Sequence, residues 1–76
     1  MVDAVLNSIL RKRIEKKYSQ QYMGLQLEMS QSQYARLENG ITALRVDMLF
    51  KILTVLEIDY DTFFSEMKKS RTSKTF

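Results

Sequence analysis

Two short amphipathic segments follow one another within Ser19–Gly40, and the break between them is too short for a long, irregular loop. Apolar residues recur about every three or four positions on both sides of the break, which is typical of helices. We therefore predict two helices that pack against a common core. The residues predicted to face it are Tyr22, Met23, Leu27, Met29, Tyr34 and Leu37.

The second segment carries polar side chains on its other face. These are Gln31, Ser32, Gln33 and Arg36. Amides, hydroxyls and guanidinium groups are the groups that hydrogen-bond the edges of bases. The pattern is typical of a helix-turn-helix, in which the second helix enters the major groove of DNA.

Helix-capping residues stand at the ends of both segments. Ser19 and Ser30 are predicted N-caps, and Gln33 completes a capping box with Ser30. Asn39-Gly40 is predicted to end the second segment, because both residue types tolerate a left-handed backbone.

The chain as a whole favours helices, since it has no proline, only two glycines and no sustained alternation of apolar and polar residues. We predict an all-α fold. A first helix is expected from Asp3, its N-cap, to about Lys17, a fourth from about Val46 to Leu56, and a fifth from about Tyr60 to Lys68, capped by Asp59 or Asp61. The inward positions are Val5, Leu6, Ile9, Leu10 and Ile14 in the first helix, and Val46, Leu49, Phe50, Leu53 and Leu56 in the fourth.

The residue inventory argues against several kinds of chemistry. The 76 residues include no cysteine and no histidine, so we expect no metal site, no cofactor and no catalytic triad. Glu57, Asp59 and Asp61 lie at a helix junction, where capping is a simpler role than catalysis, and we expect no enzyme. Because no apolar stretch approaches the roughly 20 residues that span a bilayer, and no signal peptide is recognisable, we predict a cytoplasmic protein without a membrane partner. No small-molecule substrate is evident.

Charge is distributed unevenly along the chain. The net charge is +3 over residues 1–18, −1 over 19–40, −3 over 41–66 and +4 over 67–76. Basic ends around an acidic middle favour contact with a polyanion through particular faces. We divide the chain into a domain, residues 1–68, and a basic tail, residues 69–76, which is polar, lacks periodicity and is expected to be disordered. The alternative is that the basic residues of the tail are merely solvated.

From Tyr18 to Phe64 the chain resembles the Cro and repressor type of helix-turn-helix domain, the Xre-like family of phage repressors and bacterial regulators. The matching positions are Ser19-Gln20, Met23, Leu27, Ser30, Tyr34, Leu37, Glu38, Asn39-Gly40, Leu49, Ile52, Leu53, Leu56 and Ile58. The resemblance implies a compact, five-helix, lambda-repressor-like bundle with the helix-turn-helix at helices 2 and 3. It also implies a bacterial or phage-encoded protein that is nucleoid-associated when bound.

The resemblance assigns roles to residues as well. It implies base contacts by Gln31, Ser32 and Arg36, whereas Gln33 is expected to be occupied by its capping box. It implies phosphate contacts by Gln20, Ser30, Asn39 and Arg45, and a structural pair, Arg13 and Glu38, that ties the first helix to the third. The alternatives are a solvated first-turn residue for Gln31 and an intrahelical ion pair for Arg36.

Three positions depart from the family pattern. Glu28 stands where the tight turn usually has glycine, and a non-glycine residue in a left-handed conformation costs about 1 kcal/mol. The loop Ile41–Arg45 offers Arg45 as its one cation, so we expect modest affinity per monomer. Gly24 stands where relatives prefer alanine and satisfies the need for a small residue at the helix crossing.

We predict a sequence-specific, DNA-binding transcriptional regulator. We expect a repressor that occludes a promoter by placing its third helix in the major groove of an inverted-repeat operator in double-stranded DNA. The alternative is a protein-interaction module, antitoxin-like or coactivator-like, for which DNA binding is secondary. The thinly basic loop favours this alternative.

A homodimer is expected, because one recognition helix reads few base pairs. The predicted dimer interface comprises Tyr60, Phe63, Phe64 and Met67, since two consecutive phenylalanines cannot both face one core. Phe64 or Tyr60 would be its exposed anchor. The alternative is that all four residues seal the fifth helix onto the monomer.

Overall fold

The computed structural model describes the backbone of residues 2–75 and the side chains of residues 3–68. The described chain is all-helical. Its five helices are α1 Val2–Glu15, α2 Gln20–Gln26, α3 Gln31–Glu38, α4 Val46–Val55 and α5 Tyr60–Thr75. No helix in this range is both long enough and apolar enough to cross a lipid bilayer.

One apolar core lies between the helices. Its centre is formed by Tyr34 of α3, Met23 of α2 and Phe63 of α5, each with at most 1% of its surface exposed. The other buried members are Ile9, Leu49, Ile52, Leu53 and Leu56. All helices therefore contribute to the core against which α3 is held.

The predicted N-caps of α2 and α3 are present. Ser19 Oγ accepts a hydrogen bond from the Tyr22 amide at 2.9 Å. Ser30 and Gln33 form the complete capping box, with bonds of 3.1 Å and 2.8 Å between side chain and backbone. For α5, Asp59 and not Asp61 caps the helix, since Asp59 Oδ2 accepts from the Thr62 amide at 3.0 Å. These caps satisfy amides that the first turn leaves without intrahelical partners.

Four helices end in the same way, with a residue in the left-handed region. These residues are Lys17, Glu28, Gly40 and Glu57, with φ between 57° and 77°. In each case the next amide donates back to a carbonyl five residues earlier, at 2.9–3.1 Å, which is the Schellman arrangement. The family pattern predicted Glu28, and the sequence predicted Gly40. Lys17 and Glu57 were not predicted, because neither residue type favours this conformation.

The crossing of α2 with the turn before α3 depends on Gly24. A Cβ atom built on Gly24 would lie 2.7 Å from the Met29 carbonyl oxygen. The small residue expected at this crossing is needed here in its smallest form, since even the alanine that relatives prefer would push against rigid backbone.

Three predictions about helix ends are wrong. Asp3 lies inside the first turn of α1 and is not its N-cap, because the helix begins at Val2. Ile14 and Val46, both predicted to face inward, have 59% and 68% of their surface exposed. Ile14 lies in the last turn of α1 and Val46 is the first residue of α4, and these helix ends extend beyond the apolar core.

The last helix is longer than predicted. It continues past Lys68 to Thr75, with no proline or glycine to interrupt it. The predicted disorder of residues 69–76 in the free protein stays a prediction, and Phe76 lies outside the described residues.

Candidate nucleic-acid interface

Helix α3 presents three polar side chains to solvent. Gln31, Ser32 and Arg36 are exposed, whereas Tyr34 and Leu37 on the opposite side are buried. Within the described part of the chain, no side-chain hydrogen bond or ion pair engages any of the three. Their amide, hydroxyl and guanidinium groups are therefore available to an external partner. Gln33 is exposed too, but its side-chain oxygen accepts from the Ser30 amide at 2.8 Å.

The end of α3 is fixed by a saturated carboxylate. Glu38 Oε2 accepts from Arg13 Nε at 2.8 Å and from the Tyr34 hydroxyl at 2.7 Å. Glu38 Oε1 accepts from Arg13 Nη2 at 2.9 Å and from Gln20 Nε2 at 3.2 Å. Arg13 also donates to the Tyr18 carbonyl at 2.8 Å. We call Arg13, Gln20, Tyr34 and Glu38 the Glu38 network; it joins α1, α2 and α3.

The network sets the charge state of its members. Burial by itself would raise the pKa of Glu38, but the hydrogen bonds from Arg13, Tyr34 and Gln20 outweigh it and hold the pKa below its usual value. The bond to Glu38 raises the pKa of Arg13. Burial, followed by the bond to Glu38, raises the pKa of Tyr34 far above its usual value. The carboxylate and the guanidinium are therefore charged and the phenol is neutral near pH 7.

The predicted phosphate contacts lie around α3. Gln20 is the first residue of α2 and is half-buried, with its amide on Glu38. Ser30 and Asn39 are exposed at the two ends of α3. Arg45 is exposed before α4, with Nε 3.5 Å from Asp47 Oδ1, a pair in high dielectric that holds the guanidinium weakly.

A groove lies between α3 and the loop that follows it, and it was not predicted. Its volume is about 330 Å³. Half of its eight lining residues are apolar, and two of the others are arginines. The lining residues are Met29, Leu37, Ala43, Met48, Gln33, Thr42, Arg36 and Arg45. The groove exists because the loop folds back against α3, and residue spacing in the sequence does not reveal the path of a loop.

A second surface is formed by aromatic side chains of α4 and α5. Tyr60 and Phe64 have 40% and 41% of their surface exposed. The Phe50 ring lies 4.8 Å from Tyr60 and 6.1 Å from Phe64, centroid to centroid. We call Phe50, Tyr60 and Phe64 the aromatic patch.

The predicted dimer interface is corrected at one position. Phe63 has 1% of its surface exposed and belongs to the core. Adjacent residues on a helix point about 100° apart, so burying Phe63 turns Phe64 outward. Met67 is half-buried against the core.

Comparison with known families gives one finding. A family model described as helix-turn-helix matches residues 9–63, well over half of the chain. The matched range contains the second half of α1 and all of α2, α3 and α4, and so includes every residue of the Glu38 network and the exposed side of α3. Neither the curated proteins nor the solved structures provide a match.

Proposed function

The chain belongs to the Cro/C1-type helix-turn-helix family, and from this premise we propose a transcriptional repressor that binds an inverted-repeat operator as a homodimer. Membership makes it a DNA-binding regulator in general. The proposal adds the repressor role, the symmetric operator, the dimer and action in the cytoplasm of a bacterial or phage-infected cell. The mechanism is steric, since a protein in the major groove of a promoter excludes the polymerase.

The observation that supports this proposal most directly is the exposed side of α3. Gln31 suits adenine, whose N6 and N7 a glutamine amide bridges with two hydrogen bonds. Arg36 lies further along the same helix and suits O6 and N7 of guanine, because its guanidinium is a fork of donors. Ser32 lies beside Gln31 and bonds to bases or phosphates. Each good bidentate pair discriminates by about 1–3 kcal/mol against a wrong base.

The phosphate contacts are part of the same proposal. Gln20, Ser30, Asn39 and Arg45 surround α3 and would fix its register on the duplex. Such contacts orient a protein but carry no sequence information.

Dimerisation is supported by the aromatic patch. One helix reads only a few base pairs, and a symmetric dimer presents two recognition helices about 34 Å apart, one turn of B-DNA. Tyr60 and Phe64 expose aromatic surface beside Phe50, and aromatic residues are enriched at the centres of protein interfaces. We assign this patch, with Met67 at its margin, as the contact between protomers.

Selection of random duplexes against the purified protein tests the DNA target. We expect enrichment of a motif with dyad symmetry. Gln31→Ala and Arg36→Ala should abolish the enrichment at their own base positions while leaving the helical content by circular dichroism unchanged. Gln21→Ala and Arg11→Ala, exposed residues of the same types on α2 and α1, are the matched controls. No enriched motif, or an unchanged motif in both α3 variants, would contradict the proposal.

Sedimentation of the free protein tests the dimer. We expect a concentration-dependent dimer for the wild type and a monomer for Phe64→Arg. Leu25→Arg, which places the same charge on another exposed apolar residue, should leave the dimer intact. Monomers at all concentrations in the wild type would remove the dimer from the proposal.

A partner-binding module is the second candidate, and one observation favours it. The loop after α3 has a single cation, Arg45, which lies against Asp47, and the loop exposes 74% of Ile41. A surface that binds the DNA backbone strongly would carry more positive charge than this loop does. Absence of any selected motif, together with retained folding, would favour this candidate.

A further inference from the structure

Among the proposed phosphate contacts, the Gln20 side chain is tied into the buried network. Its Nε2 donates to Glu38 Oε1 at 3.2 Å. A carboxylate only accepts hydrogen bonds, so it holds the amide nitrogen, and not the amide oxygen, on its side. The nitrogen carries two hydrogens. One is used by Glu38, and the second remains to donate to a phosphate oxygen.

The orientation of Glu38 therefore decides the orientation of Gln20. Arg13 bonds both carboxylate oxygens, but its guanidinium stands at the end of a long side chain that is 13% exposed. Tyr34 is different, because its ring has no exposed surface and lies in the packed core. Its hydroxyl, 2.7 Å from Glu38 Oε2, is a fixed point for the carboxylate.

We propose that Tyr34 is a positioning residue for DNA binding: its hydroxyl holds the Glu38 carboxylate so that the free hydrogen of the Gln20 amide is aimed at the DNA backbone. The inference rests on the proposed function, since it deepens the phosphate contact assigned to Gln20. The ring of Tyr34 serves the core, and the hydroxyl serves this second role. Phenylalanine would keep the first and lose the second.

A double-mutant cycle separates positioning from structure. Wild type, Tyr34→Phe, Gln20→Ala and the double variant are compared by DNA affinity at a temperature where circular dichroism shows all four folded. We expect Tyr34→Phe to weaken binding roughly three- to tenfold per protomer, the worth of one hydrogen bond. The loss should be equal for a selected and an unselected duplex, because phosphate contacts do not read sequence. In the Gln20→Ala background the same substitution should cost nothing.

Tyr18→Phe is the matched control, since Tyr18 is half-buried and no hydrogen bond of its hydroxyl is present in the described residues. It should leave affinity unchanged. If Tyr34→Phe is not folded in buffer alone, the same four proteins are compared in sucrose or trimethylamine oxide, osmolytes that favour the folded state without changing its contacts. Equal losses in both backgrounds, no loss in the wild-type background, or a loss confined to the selected duplex would overturn the inference. A wild type that binds selected duplexes with an additive cycle removes this inference alone, whereas a wild type that binds no duplex removes the proposed function with it.

Discussion

At the scale of single residues, Glu38 is where three helices meet. The Glu38 side chain has 3% of its surface exposed. Its carboxylate contacts Arg13 from α1, Gln20 from α2 and Tyr34 from its own helix. A buried charge is tolerated only when it is paired and hydrogen-bonded. The arrangement therefore makes stability depend on the ionisation of one group.

This dependence predicts an acid-sensitive fold. The folded-state pKa of Glu38 lies below the usual 4.5. Its contribution to stability is therefore complete above the unfolded pKa and is lost as the pH falls through the lower folded value. Urea unfolding between pH 3 and pH 6 should show the free energy of unfolding decreasing on the acid side.

Glu38→Gln tests the assignment to this residue. It should lower the free energy of unfolding at pH 7 by about 3 kcal/mol, since it leaves Arg13 without its buried partner. It should also reduce the decrease in the free energy of unfolding between pH 6 and pH 3. Glu66→Gln, an exposed glutamate of α5, should keep the wild-type pH dependence, and an identical effect in both variants would refute the assignment.

Glu28 is a residue-scale site where stability can be gained. A non-glycine residue in the left-handed region costs about 1–2 kcal/mol, and glycine costs about 0.5–1 kcal/mol in backbone entropy. Glu28→Gly should therefore raise the free energy of unfolding by about 0.5–1 kcal/mol, measured by urea denaturation. Glu66→Gly makes the same change inside a right-handed helix and should lower it by about 1 kcal/mol. A decrease in both would show that the turn carries no strain.

At the scale of elements, the helix-turn-helix is set by backbone contact. Gly24 brings α2 against the turn that leads into α3, and the caps at Ser19 and Ser30 fix where each helix begins. The angle between α2 and α3 therefore depends on the absence of one side-chain atom.

Gly24→Ala should lower stability despite the higher helix propensity of alanine. The gain in propensity is about 1 kcal/mol, and the contact with the Met29 carbonyl forces a backbone shift that costs about 1–3 kcal/mol. We expect a net loss of about 1 kcal/mol by thermal or urea unfolding, with weaker operator binding. Gln21→Ala, an exposed α2 position, should change stability by less than about 0.5 kcal/mol. A more stable Gly24→Ala variant would show that the turn yields easily.

The elements also show what the sequence could and could not predict. Ser19 predicted the start of α2, and Ser30 and Asn39-Gly40 predicted both ends of α3, because capping is local chemistry. Ile14 and Val46 were misplaced because periodicity says which face a residue lies on but not whether the core reaches that turn. The Phe63–Phe64 pair has one inward and one outward member, and the outward one is Phe64, which the sequence analysis named with Tyr60 as an exposed residue.

The candidate site was predictable in the same measure. Gln31, Ser32 and Arg36 follow from the polar face of α3, and their exposure is a structural fact. The hydrogen bond from Tyr34 to Glu38 was not foreseen, because an i, i+4 pair of this kind forms only if both side chains turn inward. The groove beside α3 depends on the path of a loop, which has no periodicity to indicate it.

At the scale of the whole molecule, we expect the affinity for DNA to depend only modestly on salt, because Arg45 is the one cation among the four proposed phosphate contacts. Each phosphate neutralised by a cation contributes about −0.9 to the slope of log affinity against log salt. Arg45→Ala should therefore reduce the magnitude of the slope by about 2 for a dimer. Lys16→Ala removes the same charge beside Glu57, at the α4–α5 connection, and should leave the slope unchanged. Equal changes in both variants would indicate a diffuse field and no defined contact at Arg45.

The outward side of α3 and the Glu38 network share no hydrogen bond within the described residues, and this separation has an evolutionary consequence. The positions that discriminate among targets can mutate without eroding the scaffold. A library randomised at Gln31, Ser32 and Arg36 should therefore consist largely of folded proteins, and descendants of this domain could acquire new binding preferences one codon at a time.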